Sequence, residues 1–229
     1  MTCIVAFKTE EGHSIIAGDY MASNGHHFNK VANSKVFNKS ESCAIGYTSS
    51  FRMGQILEHY WTLPPRVEGQ TAENFVNVTL VESIRAIFKT YGYGTKDGLE
   101  DLGGTFILLY EDRIYCMQFN YSLLDYDSEI IAIGSGTDAA LGAIYLSLPI
   151  KLENIEEALA KIFWATSLVT PSVSPEFSYS VIQNIYEEPA DTVIPEVIPK
   201  EEVPDVATID EPLPMAGFNI GYKHSFRSI

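Results

Sequence analysis

Hairpin pairs of short apolar runs alternate with pairs of helical stretches along this chain, and that order leaves few ways to build a core. Cys3 to Phe7 and His13 to Asp19 are apolar runs joined by a polar turn containing Gly12. Lys35 to Phe37 and Cys43 to Tyr47 repeat the arrangement across Asn38-Lys39-Ser40. Two helical stretches follow. Phe51 to Trp61 stops before Leu63-Pro64-Pro65. Thr71 to Tyr91 opens on a capping threonine and puts Val76, Leu80, Ile84, Ile87 and Phe88 on one face. Strands then return at Thr105 to Tyr110, Arg113 to Asn120 and Ile130 to Gly134, with Glu111-Asp112 as the first turn. Thr137 to Leu148 reads as a helix stopped by Pro149. Asn154 opens another helix, with Glu157 three residues on as a capping box. A last strand runs from Ser178 to Ile185. The order ββ ββ αα ββ β αα β predicts an α+β fold of two antiparallel sheets with helix pairs outside.

Composition decides which functions this core can serve. The 229 residues are 46% hydrophobic and 20% charged, enough to bury a core without disulfide staples. A formal net charge of −15 argues against binding nucleic acid or an anionic membrane, which needs clustered cations. No apolar run approaches the roughly 18–20 residues of a membrane span, and the N-terminus lacks the pattern of a secretory signal. Cys3, Cys43 and Cys116 are scattered, which suits reduced core thiols in a cytoplasmic protein. No metal site is expected, because His26 and His27 stand side by side without further ligands. The acidity is concentrated. Glu187 to Pro214 holds nine acidic residues, one lysine and six of the eleven prolines. Such a stretch cannot offset the cost of ordering and reads as an extended spacer, at most about 85 Å long at ~3.1 Å per residue. Met215 to Ile229 is aromatic and basic, with Lys223, His224 and Arg227. It is either a docking peptide on a tether or a frayed end. The chain thus divides into a domain over 1–186, a linker over 187–214 and a terminal peptide over 215–229.

Thr2 follows the initiator methionine, and a small second residue is the usual condition for removing it. Removal would leave Thr2 with a hydroxyl and a free α-amine of pKa about 8, suited to general-base work at neutral pH. A threonine hydroxyl is a poor nucleophile until an adjacent base takes its proton, and an N-terminal amine can do so. Alone, a threonine at position 2 is an ordinary small residue.

Its company matters more. The run TCIVAF, a turn, IIAGD, Lys35-Val36, AIGYTSS and then GSG resembles, in order and spacing, the proteasome β-subunit and HslV-type peptidase family. The likeness covers roughly residues 2–182 and is strongest over the first fifty and at Gly134-Ser135-Gly136. It implies the N-terminal-nucleophile (Ntn) hydrolase fold, a four-layer αββα sandwich. It places the nucleophile on Thr2, the strand-end aspartate on Asp19, the lysine on Lys35 and the serine beside the amine on Ser135. The spacing from Thr2 to Lys35 is one residue longer than usual in the family, and the Lys8-to-Gly12 turn absorbs it. In these roles Lys35 would favour an anionic oxygen and lower the pKa of the amine, while Asp19 would anchor Lys35 by a charge-assisted hydrogen bond. The plainer alternatives are a structural ion pair for Asp19 and Lys35, and a helix cap for Ser135.

The resemblance also assigns the oxyanion-binding backbone N–H to Ser49, and a specificity pocket to Ala22, Asn33, Tyr47 and Phe51, narrow and aromatic here. Two departures stand out. Ser49-Ser50 replaces paired glycines, and Val169 occupies the place of a supporting aspartate, although the accompanying serine is matched by Ser172. No cofactor or metal is implied. A peptide or protein substrate, a homo-oligomeric ring and an ATP-dependent unfoldase or assembly partner are. A short form without a propeptide fits a bacterial or phage source. Two functions compete: a threonine peptidase or amidohydrolase using Thr2 after Met1 removal, and a catalytically inactive assembly subunit whose C-terminal tail docks on a partner. Ser49-Ser50, Val169 and the tail favour the second.

Overall fold

The computed structural model describes residues 2–23, 27–97, 100–126 and 129–184. The expected linker and terminal peptide lie outside these residues, as do His26 and the expected strand end at Ile185. The chain divides into two units between Glu187 and Glu188, and the second lies wholly outside the described residues.

The first hairpin pairs β1 (Cys3–Lys8) with β2 (Ser14–Asp19). Gly12 closes its turn at φ 81°, a conformation open to glycine at little cost, and donates its N–H to Thr9 O. A small hairpin of β3 (Met21–Ser23) and β4 (Phe28–Lys30) follows, too short to show in the apolar pattern. β5 (Val36–Ser40) and β6 (Cys43–Tyr47) make the next pair. Helix α1 (Phe51–His59) comes next, then α2 (Ala72–Asn74), which continues through a π-helical stretch (Phe75–Leu80) into α3 (Val81–Thr90). Thr71 caps this composite helix as expected, its hydroxyl accepting from the Asn74 N–H. A hairpin of β7 (Thr95–Asp97) and β8 (Glu100–Leu102) leads to β9 (Phe106–Tyr110) and β10 (Arg113–Met117), joined at Glu111 and Asp112. The expected long strand to Asn120 instead ends at Met117. The chain turns back there, with the Tyr121 N–H on Gln118 O, into β11 (Leu123–Asp125). β12 (Ile130–Gly134), α4 (Thr137–Ser147), α5 (Ile155–Val169) and β13 (Phe177–Ile182) complete the described chain.

The capping box expected at Asn154 does not form. Asn154 ends a 3₁₀ turn, its N–H donates to Lys151 O, and its side chain makes no cap.

The strands form a four-stranded sheet in the order β12-β1-β2-β13 and a five-stranded sheet in the order β11-β10-β9-β6-β5, every pairing antiparallel. Side chains alternate across each strand. Along β1, Cys3, Val5 and Phe7 pack with Ala140, Ile144, Leu159 and Phe163 of α4 and α5. Ile4 and Ala6 face the opposite way, into a core shared with Ala44, Ile107 and Leu109 of the other sheet. The far side of the five-stranded sheet packs Tyr47, Phe106 and Leu108 against Met53, Ile56, Ile84 and Phe88 of α1 and α3. The result is the expected layering of helices, sheet, sheet and helices. Central strands are covered on both faces, so they read as unbroken apolar runs rather than alternating ones. Among the described residues no helix is long and apolar enough to cross a membrane.

Candidate active site

The end of β1 and the end of β2 meet at Thr2 and Asp19. Asp19 is fully buried and accepts four hydrogen bonds. Its Oδ1 takes the Cys3 N–H at 3.0 Å and Lys35 Nζ at 2.8 Å. Its Oδ2 takes the N–H groups of Met21 at 2.9 Å and Ser174 at 3.2 Å. A carboxylate has about four such acceptor positions, so Asp19 is saturated. Lys35, 1% exposed, also donates to Met21 O at 2.5 Å. Its position is set by the first residues of β5, and the Tyr47 N–H on its carbonyl ties it to β6. Burial pushes the Lys35 ammonium below the ordinary lysine range, and the Asp19 charge opposes that shift.

Thr2 is 4% exposed and sits beside this pair, since the N–H that follows it is held by the same carboxylate oxygen as Lys35. Among the described residues the Thr2 hydroxyl has no hydrogen-bond partner. Its carbonyl accepts from Ser135 Oγ at 3.4 Å, and Ser135 Oγ lies 2.7 Å from Ser172 Oγ. Ser135 therefore does not cap α4: the cap position is Gly136, and Thr137 Oγ1 reaches back to Gly134 O. Gly134 is required here. At φ 101° a Cβ would stand 2.0 Å from Thr2 O. Neighbouring Cys3 is inert, its thiol pushed up to about 12, chiefly by burial.

Ser49 and Ser50 have separate local reasons. Ser50 caps α1, its hydroxyl accepting from the Met53 N–H at 3.2 Å. Ser49 has φ 70°, and the Ser50 N–H donates to Thr48 O across it at 2.8 Å. That is a γ-turn of positive φ, a strained shape costing about 1–3 kcal/mol for a residue with a side chain. Ser49 thus takes up a backbone conformation that glycine adopts freely, and it stands exposed at the surface.

The four residues expected to line a specificity pocket are not equivalent. Tyr47 is 3% exposed and lies within the helix-side core, with its ring packed against Gly54. It is core rather than pocket wall, because β6 turns it toward α1. Phe51 is 38% exposed and meets the Tyr47 ring edge-on at 6.2 Å. Ala22 is half-buried on β3, and Asn33 is exposed. Val169, where the resemblance expects an aspartate, is 71% exposed. Ser174 escaped the sequence reading. Its N–H holds Asp19, and its hydroxyl accepts from the Tyr20 N–H and donates to Glu176 O. Only its place two residues after Ser172 could have hinted at it. Among the described residues no group of three or more His, Cys, Asp or Glu could hold a metal ion.

No family model matches the sequence, and no curated protein matches it. Solved structures do match. BPH from Thiobacillus denitrificans superposes with a TM-score of 0.63 at 19% identity, covering 78% of this chain and 96% of that one. Eukaryotic HslV from Trypanosoma brucei gives 0.54 at 16%, covering 78% and 98%. Anbu, described as an ancestral beta-subunit, from Yersinia bercovieri gives 0.56 at 12%, covering 78% and 80%. At such identities the likeness is one of fold: this chain has the proteasome-like α+β architecture of HslV and Anbu.

Proposed function

We propose that this chain is a threonine-type Ntn hydrolase that cleaves peptide or amide bonds, and that its copies assemble into a ring. One observation carries the reading. A single buried carboxylate oxygen holds both the Lys35 ammonium and the N–H next to Thr2, and this supports a cation acting near the Thr2 hydroxyl, which has no partner among the described residues. The reading requires removal of Met1. The Thr2 hydroxyl then attacks the substrate carbonyl, and its proton passes to the Thr2 α-amine. The Ser49 N–H receives the oxyanion, a role worth roughly 3 kcal/mol in comparable sites. Collapse expels the amine product, which takes the proton back. Water, deprotonated by the same α-amine, releases the acyl group as an acid and restores Thr2. Lys35 keeps that amine unprotonated at neutral pH through its charge. Ser135, linked to Ser172 and the Thr2 carbonyl, orients the terminus.

The neighbours HslV and Anbu support a proteasome-like subunit. The partner class to look for is an ATP-dependent unfoldase, in the cytoplasm. The boundary near residue 187 supports treating the remaining segment as linker and terminal peptide. Intact mass of the purified chain is expected to lack Met1, and native mass to be a multiple of the subunit. Thr2→Ala is expected to abolish hydrolysis of small fluorogenic peptide amides without changing the melting temperature. Equal turnover in that variant removes Thr2 from the chemistry.

Val169 favours the second reading, an inactive assembly subunit, since it puts an exposed apolar residue where an acid would support the terminus. Retention of Met1 throughout the purified protein would decide for it.

A further inference from the structure

Among the described residues, β12 is the outermost strand of its sheet and pairs with β1 alone. The direction of its remaining main-chain groups follows from two bonds. The Cys3 N–H points toward Asp19 on the β2 side, and the Lys8 N–H points to Glu129 O on the β12 side. Successive residues of an antiparallel strand address opposite neighbours. Ile4 and Ala6 therefore bond to Ile133 and Ile131, which face them. Ala132, between those two, sends its N–H and C=O outward. Among the described residues neither group has a partner, although Ala132 is only 7% exposed. Recessed main-chain groups are almost always paired, so this pair stands open for a ligand.

The groups open into a cavity of about 620 Å³. Ser49 and Gly134 line one end of it, beside Thr2. Leu141 and Tyr145 of α4, with Tyr126, line the rest. Among the described residues, none that lines it carries a formal charge, on a chain whose net charge is −15.

We propose that this cleft binds an extended, uncharged peptide segment as an added strand on β12. Resting on the hydrolase reading, we assign that segment to the part of the substrate that follows the scissile bond. An added strand antiparallel to β12, the pairing used throughout this sheet, has its N-terminal end at Gly134 and Ser49 and runs on toward Ile130. The residue whose amine is released at Thr2 therefore leads into the cleft, and β-branched or apolar residues suit the walls.

Two measurements test this. Substrates sharing one acyl part are compared, one ending in a small fluorophore amine and one continuing for four Val and Thr residues. Ala132→Pro removes the outward N–H without touching the β1 pairing, and Tyr145→Glu places a charge in the wall from an exposed position. Each is expected to lower the long-to-short ratio of kcat/KM at least tenfold. A ratio within twofold of wild type for both variants overturns the proposal. Independently of turnover, the Thr2→Ala chain is titrated with a fluorescein-labelled Thr-Val-Thr-Val-Thr peptide. Binding that slows hydrogen exchange at the Ala132 amide supports the cleft even if the chain hydrolyses nothing, in which case the hydrolase reading alone falls. Hydrolysis of the long substrate with no such protection overturns the cleft and leaves the hydrolase standing.

Discussion

Asp19 and Lys35 show how much a single buried pair asks of its surroundings. Two charges removed from water are tolerable only when each is well partnered, and Asp19 has four donors while Lys35 has two acceptors. Asp19→Asn keeps the shape and leaves Lys35 buried without a counter-charge. We expect a loss of about 3–5 kcal/mol in denaturant unfolding, and recovery of most of it in the Asp19→Asn/Lys35→Met double variant. A single-variant loss under about 1 kcal/mol would mean that the pair is not energetically coupled. The pH profile carries a second signature. Burial lowers the Lys35 pKa, so the folded chain gives up that proton before an exposed lysine would. The alkaline fall in hydrolysis is therefore expected below the ordinary lysine value of about 10.4. A fall that begins only at or above that value would separate Lys35 from the mechanism. Both residues were placed by the family resemblance, at AGD and at Lys35-Val36. Ser174 did not, since its part depends on a backbone N–H that every residue type possesses.

At the scale of elements, the contact of α1 with β6 shows what apolar pattern conveys and what it omits. The faces of α1 and α3 were legible, because period and burial go together. The role of Gly54 was not. A Cβ there would lie 2.2–2.4 Å from the Tyr47 ring, so the helix sits flat on the aromatic only because the side chain is missing. Gly54→Ala is expected to cost at least the upper end of the ~1–3 kcal/mol typical of overpacking. Thermal unfolding checks this, and an unchanged melting temperature would show that the ring can slide away. The same contact explains why Tyr47 is not a pocket residue. Its side chain was assigned from position along the chain, whereas its direction is set by which face of β6 meets α1. The short strands β3, β4, β7, β8 and β11 were missed for a related reason. At three residues each they carry too little periodicity to register.

For the molecule as a whole, three cores lie between four layers, and among the described residues their buried members run from Cys3 to Ile182. Removing residues 188–229 is therefore expected to leave the melting temperature within about 2 °C, since a shift of ~2–4 °C corresponds to roughly 1 kcal/mol for a chain of this size. A larger fall would mean that the terminal segment contributes to the fold itself. The number and order of the long elements, the faces they bury and the acidic, proline-rich end are properties of local composition and period, so they could be read from the amino acids alone. Tertiary structure alone decided that Ser135 turns from its helix toward Ser172 and Thr2, that Tyr47 is buried, and that the outer edge of β12 opens into a cleft beside Ser49. Those outcomes depend on which of several available partners lies within about 3 Å once the sheets are stacked, and period and composition carry no record of such distances.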